Sequence, residues 1–277
     1  MIEIRDIAAN LTQSNDGLWV AHDQRDISYP QEGNETCFDV EDGSFWFNHR
    51  NNVITSLVKS FCPDGAVFDI GGGNGFVAMA LQRVGIDTVV VEPGPHGARN
   101  AKARGVHVVI QSTLEDAGFK SESIAAFGLF DVLEHIEDDS NFLKILHSQL
   151  QPEGYLYITV PAFNLLWSNN DEHSGHYRRY TTRTLTKTLA SAGFTPRYCG
   201  YFFGFLVPAI FLFRAIPSWL GIRRSVTKSS TKREHSTHRR IGASVLQSVI
   251  GFELRRIENK KRIPIGSSCI AVAQKAE

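Results

Sequence analysis

The sequence predicts an α/β fold in which a doubly wound, mainly parallel sheet carries helices on both faces. Three observations point to it. From about residue 66 onward short β-like runs alternate with helical stretches, Gly and Pro fall where such units turn, and a glycine-rich loop, GGGNG (71–75), separates the first of these runs from its helix. In order, AVFDI (66–70) is β-like, and FVAMALQRVG (76–85) is helical and stops at Gly85. TVVVE (88–92) is β-like, PHGARNAKARG (95–105) is helical to Gly105, and VHVVI (106–110) is β-like. SIAAFGLFDV (123–132) reads as a buried strand, DDSNFLKILHSQL (138–150) as a helix and GYLYITVP (154–161) as a strand. TTRTLTKTLASAGF (181–194) reads as a helix with Thr181 or Thr182 as N-cap and Gly193 just past its end. TPRYCGYFF (195–203) is strand-like, GASVLQSVIGFELRRIENKKR (242–262) helix-like and GSSCIAVAQK (266–275) a closing strand. Four segments follow: 1–60 as an N-terminal cap, 61–202 as the core, 203–262 as an apolar and basic insertion, and 263–277 as the final core strand.

A chain of 277 residues can bury a sizeable core, and 42% hydrophobic with 21% charged residues is ordinary for a globular protein. The net charge of zero conceals an asymmetry. Residues 1–172 carry 10 Lys and Arg against 25 Asp and Glu, a net of −15, whereas 173–277 carry 19 against 4, a net of +15. Either the last third meets something anionic or the two halves attract each other. Cys37, Cys62, Cys199 and Cys269 are far apart with no C-x-x-C, so neither a disulfide framework nor a zinc knuckle is expected, and a reducing, cytoplasmic compartment is. The start, MIEIRDIAAN, has no basic segment followed by an apolar one, so no secretory signal is read.

Glycines between a strand and a helix let backbone N–H groups approach a ligand closely. The P-loop pattern has no match. A dinucleotide fingerprint can be forced onto Gly73, Gly75 and Ala78, but Asp69 ends the preceding strand, where a carboxylate repels a pyrophosphate and suits a cationic amino group instead. Glu92 ends the next strand, placed to accept from a ribose diol. A ribose and an ammonium without a phosphate describe S-adenosylmethionine.

VFDIGGGNG followed by VVVEP resembles the first two motifs of the class I S-adenosylmethionine-dependent methyltransferases. STLED resembles their adenine-side segment. FGLFDVLEHIED is similar to the fourth-strand motif of the branch that includes ubiquinone- and menaquinone-type enzymes, and LQPEGYLYITVP resembles the entry to the fifth strand. The resemblance covers about 64–200 plus the final strand, and it implies a Rossmann-like, seven-stranded sheet. It implies that Gly71, Gly73 and Gly75 underlie the cofactor's amino acid moiety, that Glu92 binds both ribose hydroxyls, and that Thr113, Leu114 and Glu115 flank the adenine. It places Asp131, Val132 and His135 beside cofactor and acceptor. Asp69 either meets the ligand or caps loop amides.

Methyl transfer mainly requires alignment, and a hydroxyl acceptor benefits from a base. His135 is the candidate; it either takes that proton or fixes its loop. The segment NNDEHSGHYRRYT (169–181) brings His173, His176, Tyr177, Arg178 and Arg179 to the sheet's carboxyl edge as acceptor-side candidates. It resembles segments in bacterial superfamily members whose acceptors are not well defined. Arg178 and Arg179 either grip an acidic group on the acceptor or pair with the acidic body. His173 and His176 form H-x-x-H, but with only Asp171 and Glu172 beside them no metal is expected. SFWFNHRN resembles a leader that closes over the cofactor, with Phe45, Trp46, Phe47, His49 and Arg50 either lining the pocket or packing in the core.

YFFGFLVPAIFLF (201–213) is a 13-residue apolar run, too short to span a membrane, and it precedes Trp219 and then Arg223, Arg224, Lys228, Lys232, Arg233, Arg239 and Arg240. Three readings fit residues 203–240: a peripheral membrane contact that collects a lipid-linked acceptor, a cap over a hydrophobic pocket, or a nucleic-acid arm. The basic stretch has no aromatic residue to stack a base, which counts against nucleic acid. The expected reaction is methyl transfer to a small or lipid-linked acceptor, at oxygen. RNA or protein methylation, and a non-catalytic cofactor-binding module, are the alternatives.

Overall fold

The computed structural model describes residues 3–22, 38, 40–222 and 240–276. The predicted alternation becomes one mixed sheet. Its strands are β1 (Leu11–Gln13), β2 (Trp19–Ala21), β3 (Val67–Ile70), β4 (Thr88–Val91), β5 (Val108–Gln111), β6 (Ile124–Phe130), β7 (Leu150–Pro161), β8 (Phe194–Phe202) and β9 (Ser268–Lys275), in the spatial order β1-β2-β5-β4-β3-β6-β7-β9-β8. The strands from β5 through β7 run parallel, and β9 lies antiparallel between β7 and β8. All four residues of β3 and of β4 are buried, as parallel strands covered on both faces must be.

The sheet has nine described strands where seven were expected. The two extra strands are β1 and β2, of three residues each, which form a hairpin closed by the Ser14 N–H to Leu18 carbonyl bond at 2.8 Å. β2 then docks parallel to β5, with Trp19 opposite Ile110. Segments this short carry too few positions for an alternating pattern to register.

The principal helices are α1 (Phe45–Ser60), α2 (Phe76–Arg83), α3 (Pro95–Arg104), α4 (Asp139–Gln149), α5 (Asn169–Ser174), α6 (Thr182–Ser191) and α7 (Arg240–Glu258). Thr181 caps α6, its hydroxyl accepting from the Thr184 N–H at 3.1 Å, and Gly193 follows in the left-handed conformation. Strand order reverses beside β3, since β4 lies on one side of it and β6 on the other. In open sheets the crevice at the carboxyl ends of such strands is where ligands bind.

Residues 203–262 connect β8 to β9. The apolar run folds into short helical turns (Gly204–Leu206, Val207–Ile210, Phe211–Ala215 and Ile216–Trp219), and α7 packs on α1. Ile257 is buried among Val53, Ile54 and Phe203. Among the described residues no helix is long and apolar enough to cross a membrane. The basic residues Arg223, Arg224, Lys228, Lys232, Arg233 and Arg239 lie outside the described residues, and Arg240 opens α7.

One buried carboxylate fastens the insertion. Glu253 of α7 meets His49 Nε2 of α1 at 2.6 Å and accepts from the Phe203 and Gly204 N–H groups at 2.8 and 2.9 Å. Phe203 stands at φ +60°, a left-handed conformation unusual for a bulky residue, so Glu253 holds the chain where it turns out of β8. Removing an acceptor shared by several buried donors costs about 1–3 kcal/mol per donor left unpaired. Glu253→Ala is therefore expected to lower unfolding stability by about 3 kcal/mol, while Glu258→Ala, exposed on the same helix, stays within about 0.5 kcal/mol of the parent. Urea unfolding followed by circular dichroism measures both, and equal effects would remove Glu253 from this role.

Candidate active site

The glycine loop leaves β3 and enters α2 with Gly71, Gly73 and Gly75 all at positive φ. Two of these positions are also closed by space. A Cβ on Gly75 would lie 2.7 Å from Val106 Cγ2 and 2.9 Å from Ala101 Cβ, and one on Gly71 would lie 2.9 Å from Val132 Cγ2. Glu92, just beyond β4, fixes the loop from the side. Its two carboxylate oxygens accept from the Gly73 N–H at 2.9 Å and the Gly94 N–H at 2.8 Å. Asp69 stands one residue before the end of β3 and is almost wholly buried, with no hydrogen-bond partner for Oδ2. Burial raises its pKa to about 7; the nearby Arg50 charge opposes the rise and Glu92 adds to it.

Beyond β5, Leu114 is buried in the main core, Thr113 caps the following turn by accepting from the Asp116 N–H at 3.0 Å, and Glu115 is exposed. At the end of β6, Asp131 takes φ +60°. It accepts from the Thr159 hydroxyl at 3.1 Å and forms an ion pair at 2.6 Å with Arg50 Nε, reached from α1. The same guanidinium donates to the Phe130 carbonyl at 2.7 Å and lies over the Trp46 ring. Val132 packs partly buried against the main core.

Next along the chain is a 3₁₀ turn, Leu133–His135, and it meets the acceptor-side segment. Glu134 is buried, its Oε2 has no hydrogen-bond partner, and burial and then the Asp131 charge push its pKa well above the usual carboxylate range. Burial, then His176, lower the His135 imidazole to about 4, against a smaller opposing pull from Asp131. The His135 and His176 rings meet edge to face, 4.7 Å between centroids.

Asp171 of α5 organises this side. It receives the Ser168 N–H at 2.9 Å, His176 Nδ1 at 2.9 Å, and Arg179 through Nε at 2.7 Å and Nη2 at 3.0 Å. Burial works against its charge, but the bonds from His176 and Arg179 outweigh it and hold the carboxyl at about 2. Arg178 donates to the Ile136 and Glu137 carbonyls and pairs with Asp139 at 2.9 Å. Both guanidinium forks are thus engaged by protein groups, Arg178 by the turn after β6 and Asp139, and Arg179 by Asp171 of its own segment and the Ala162 carbonyl. His173 and Tyr177 are exposed.

A family profile described as a methyltransferase domain matches residues 47–198, more than half of the chain. The chain belongs to this methyltransferase family. The resemblance to the class I S-adenosylmethionine-dependent superfamily is thereby confirmed. A probable S-adenosylmethionine-dependent methyltransferase of Mycobacterium tuberculosis is 25% identical over 176 residues, which cover 62% of this chain and 64% of that protein. The match therefore spans less than two thirds of the relative's length. A ubiquinone biosynthesis O-methyltransferase of Azorhizobium caulinodans is 30% identical over 109 residues, covering 36% of this chain and 43% of its own. Among solved structures, Haemonchus contortus phosphoethanolamine N-methyltransferase 2 with bound S-adenosyl-L-methionine superposes with a TM-score of 0.56 at 15% identity, covering 90% of this chain and 58% of that one. That likeness shows the fold.

On this methyltransferase scaffold Asp69, the glycine loop, Glu92, Asp131 and His135 gather at the carboxyl ends of β3, β4 and β6. From SFWFNHRN, Arg50 reaches Asp131, whereas Trp46 stacks on Phe203, Phe47 meets Phe76 edge-on and His49 is held by Glu253. Sequence reasoning missed Glu134, although it directly precedes His135, and missed Asp171 as the hub of its loop. Breaking a buried ion pair by removing one partner costs about 3–5 kcal/mol. Asp171→Ala, which strands the largely buried Arg179, is expected to cost about 3 kcal/mol in chemical unfolding. The double variant Asp171→Ala/Arg179→Ala is expected to cost less than the sum of the two single variants; strict additivity would show that the pair does not couple.

Proposed function

We propose that the chain transfers a methyl group from S-adenosylmethionine to an oxygen of a small or lipid-linked acceptor. The observation that carries this reading is the Glu92 carboxylate tying the glycine loop to the tip of β4 beside the buried Asp69. Gly71, Gly73 and Gly75 bring backbone close to the cofactor's amino acid moiety, and Asp69 answers its ammonium. Glu92 accepts from the ribose, and Thr113, Leu114 and Glu115 border the adenine. Asp131 and Val132 lie beside the methyl group, and His173, His176 and Tyr177 face the acceptor side. An open acceptor surface is in keeping with the exposed Leu212, Phe213, Trp219, Leu220 and Ile222 on the turns after β8. That segment is bonded to α5 through Ser218 and Asn169, at 2.9 and 3.1 Å, so a lipid-facing surface and the acceptor loop are mechanically joined. The names of the ubiquinone-pathway relatives are compatible with oxygen as the acceptor atom.

Calorimetry with S-adenosylhomocysteine tests the pocket, and transfer of radiolabelled methyl into lipid, small-molecule, protein and RNA fractions tests the acceptor. Label confined to protein or RNA would overturn the acceptor class, and no binding would overturn the enzyme. Glu92→Ala is expected to weaken cofactor binding by about 1–3 kcal/mol, since ribose hydroxyls and loop amides both lose their acceptor.

Asp69 gives a pH dependence. Its folded pKa of about 7 lies above the ordinary 3.8, so the cofactor-free fold binds the extra proton and loses stability as pH rises between about 4 and 7. A bound ammonium favours the ionised form, so affinity is expected to strengthen from about pH 6 to pH 8 and to flatten in Asp69→Asn. An identical profile in that variant would place the ammonium elsewhere. Flotation on liposomes rich in anionic lipid tests the surface; equal recovery of a Phe213→Ser/Leu220→Ser variant would remove lipid from the proposal.

A further inference from the structure

Glu134 is only 1% exposed, yet its Oε2 has no hydrogen-bond partner. A buried carboxyl oxygen left without a partner is costly unless something compensates it. It does not stand alone. One donor atom from each of Glu134, His135 and His176 lies within 4.8 Å of the others. His176 is oriented for ligation. Its Nδ1 lies 2.9 Å from Asp171 Oδ1, an oxygen that also accepts from Arg179 Nε, so Nδ1 is the donor of that bond and Nε2 carries the lone pair. A carboxylate behind a histidine in this way fixes tautomer and ring plane in metal sites. Both imidazoles are partly covered, and their rings meet edge to face with 4.7 Å between centroids.

We propose that Glu134, His135 and His176 bind a divalent transition-metal ion, with Asp171 as the positioning residue behind His176. A two-histidine, one-carboxylate set suits Mn²⁺, Fe²⁺, Co²⁺ or Zn²⁺ better than the all-oxygen preference of Mg²⁺ or Ca²⁺. Three ligands each about 2.1 Å from a tetrahedral ion lie about 3.4 Å apart, so closure from a spread of 4.8 Å requires a movement of no more than about 1.4 Å. Three protein ligands leave positions open for water or an acceptor oxygen. The site sits beside Asp131, at the end of β6. If the proposed O-methylation holds, a hydroxyl bound there loses its proton to water at lower pH because the metal's charge favours the alkoxide or phenolate. His135 would then serve as a ligand and not as a base. The metal site itself does not depend on that reading.

The test uses the full chain, stripped with chelator and titrated with MnCl₂ or ZnCl₂ alone, by calorimetry and by electron paramagnetic resonance of Mn²⁺. One ion per chain is expected. Glu134→Gln and His176→Ala are expected to weaken binding by about 10-fold or more, and Asp171→Asn by about 10-fold. His173→Ala, which removes the other histidine of H-x-x-H, should leave the stoichiometry and affinity unchanged. Circular dichroism confirms that each variant is folded, and the near-isosteric Glu134→Gln retains a readout if His176→Ala does not fold. The site is overturned if the stripped protein takes up no stoichiometric ion, if Glu134→Gln binds as the parent does, or if His173→Ala is the variant that loses the ion. S-adenosylhomocysteine binding is measured in parallel. Its persistence without metal uptake sinks the metal site alone, and metal uptake without cofactor binding sinks the methyl-transfer reading alone.

Discussion

Everything at the carboxyl edge of this sheet depends on Arg50. It is a buried guanidinium delivered from outside the α/β core into a pocket of carboxylates. Asp131 pairs with it directly, and its charge opposes the pKa rise that burial imposes on Glu41, Asp69 and Glu134. A carboxylate of the chain's acidic half could not otherwise be withdrawn from water at this density, because each like charge raises the cost of the next. The placement also explains why α1 packs where it does. Val53, Ile54, Leu57 and Val58 bury one face against α7 and the β8 exit, and that packing sets the depth from which Arg50 reaches the Phe130 carbonyl. The His49–Glu253 contact one residue earlier locks the helix against rotation, so the fastening of the insertion and the charge balance of the site are a single mechanical unit.

The core was legible in the sequence because its signals are local. Gly85, Gly105 and Gly193 follow the helices that they were expected to end, and TVVV and VFDI are apolar enough to be central strands and nothing else. The glycine loop was legible for a related reason, since positive φ at Gly71, Gly73 and Gly75 leaves little choice of residue. The functional side of the molecule was harder to read because its contacts are non-local. Arg50 and Asp131 are 81 positions apart in the numbering and Glu253 and His49 are 204 apart, and no periodicity announces such pairs. Residue type left Arg178 and Arg179 either as grips on the acceptor or as partners of the chain's own acids, and only the fold brings Asp139 and Asp171 beside them. Glu134 was overlooked because an acid next to a histidine in a turn is unremarkable until burial deprives it of partners.

The insertion between β8 and β9 divides its labour by face. Toward the core it contributes Ile257 and the Glu253 anchor. Toward solvent it leaves Leu212, Phe213, Trp219 and Leu220 on the first part and Val245 and Phe252 on α7. A run of apolar residues that a membrane-spanning reading finds too short is thus neither a span nor a wholly buried core element. It is folded into short turns with one side covered. The Ser218–Asn169 bonds make the covered side continuous with α5, so a ligand gathered at the exposed side and the Asp171–His176 arrangement share one rigid connection.

The electrostatics of the site argue for cationic ligands in two places, not one. Asp69 and Glu134 are both buried with one oxygen lacking a hydrogen-bond partner, and burial raises the pKa of each against the opposing charge of Arg50. They lie at different strand ends, Asp69 near the tip of β3 and Glu134 just past β6, with the Arg50–Asp131 pair within electrostatic reach of each. A single monocation above β3 answers Asp69 but is held off from Glu134 by the same guanidinium that stands near both. A sulfonium-bearing amino acid at the first position and a divalent ion at the second would neutralise the two sites separately, and each would favour the ionised form of its own carboxylate.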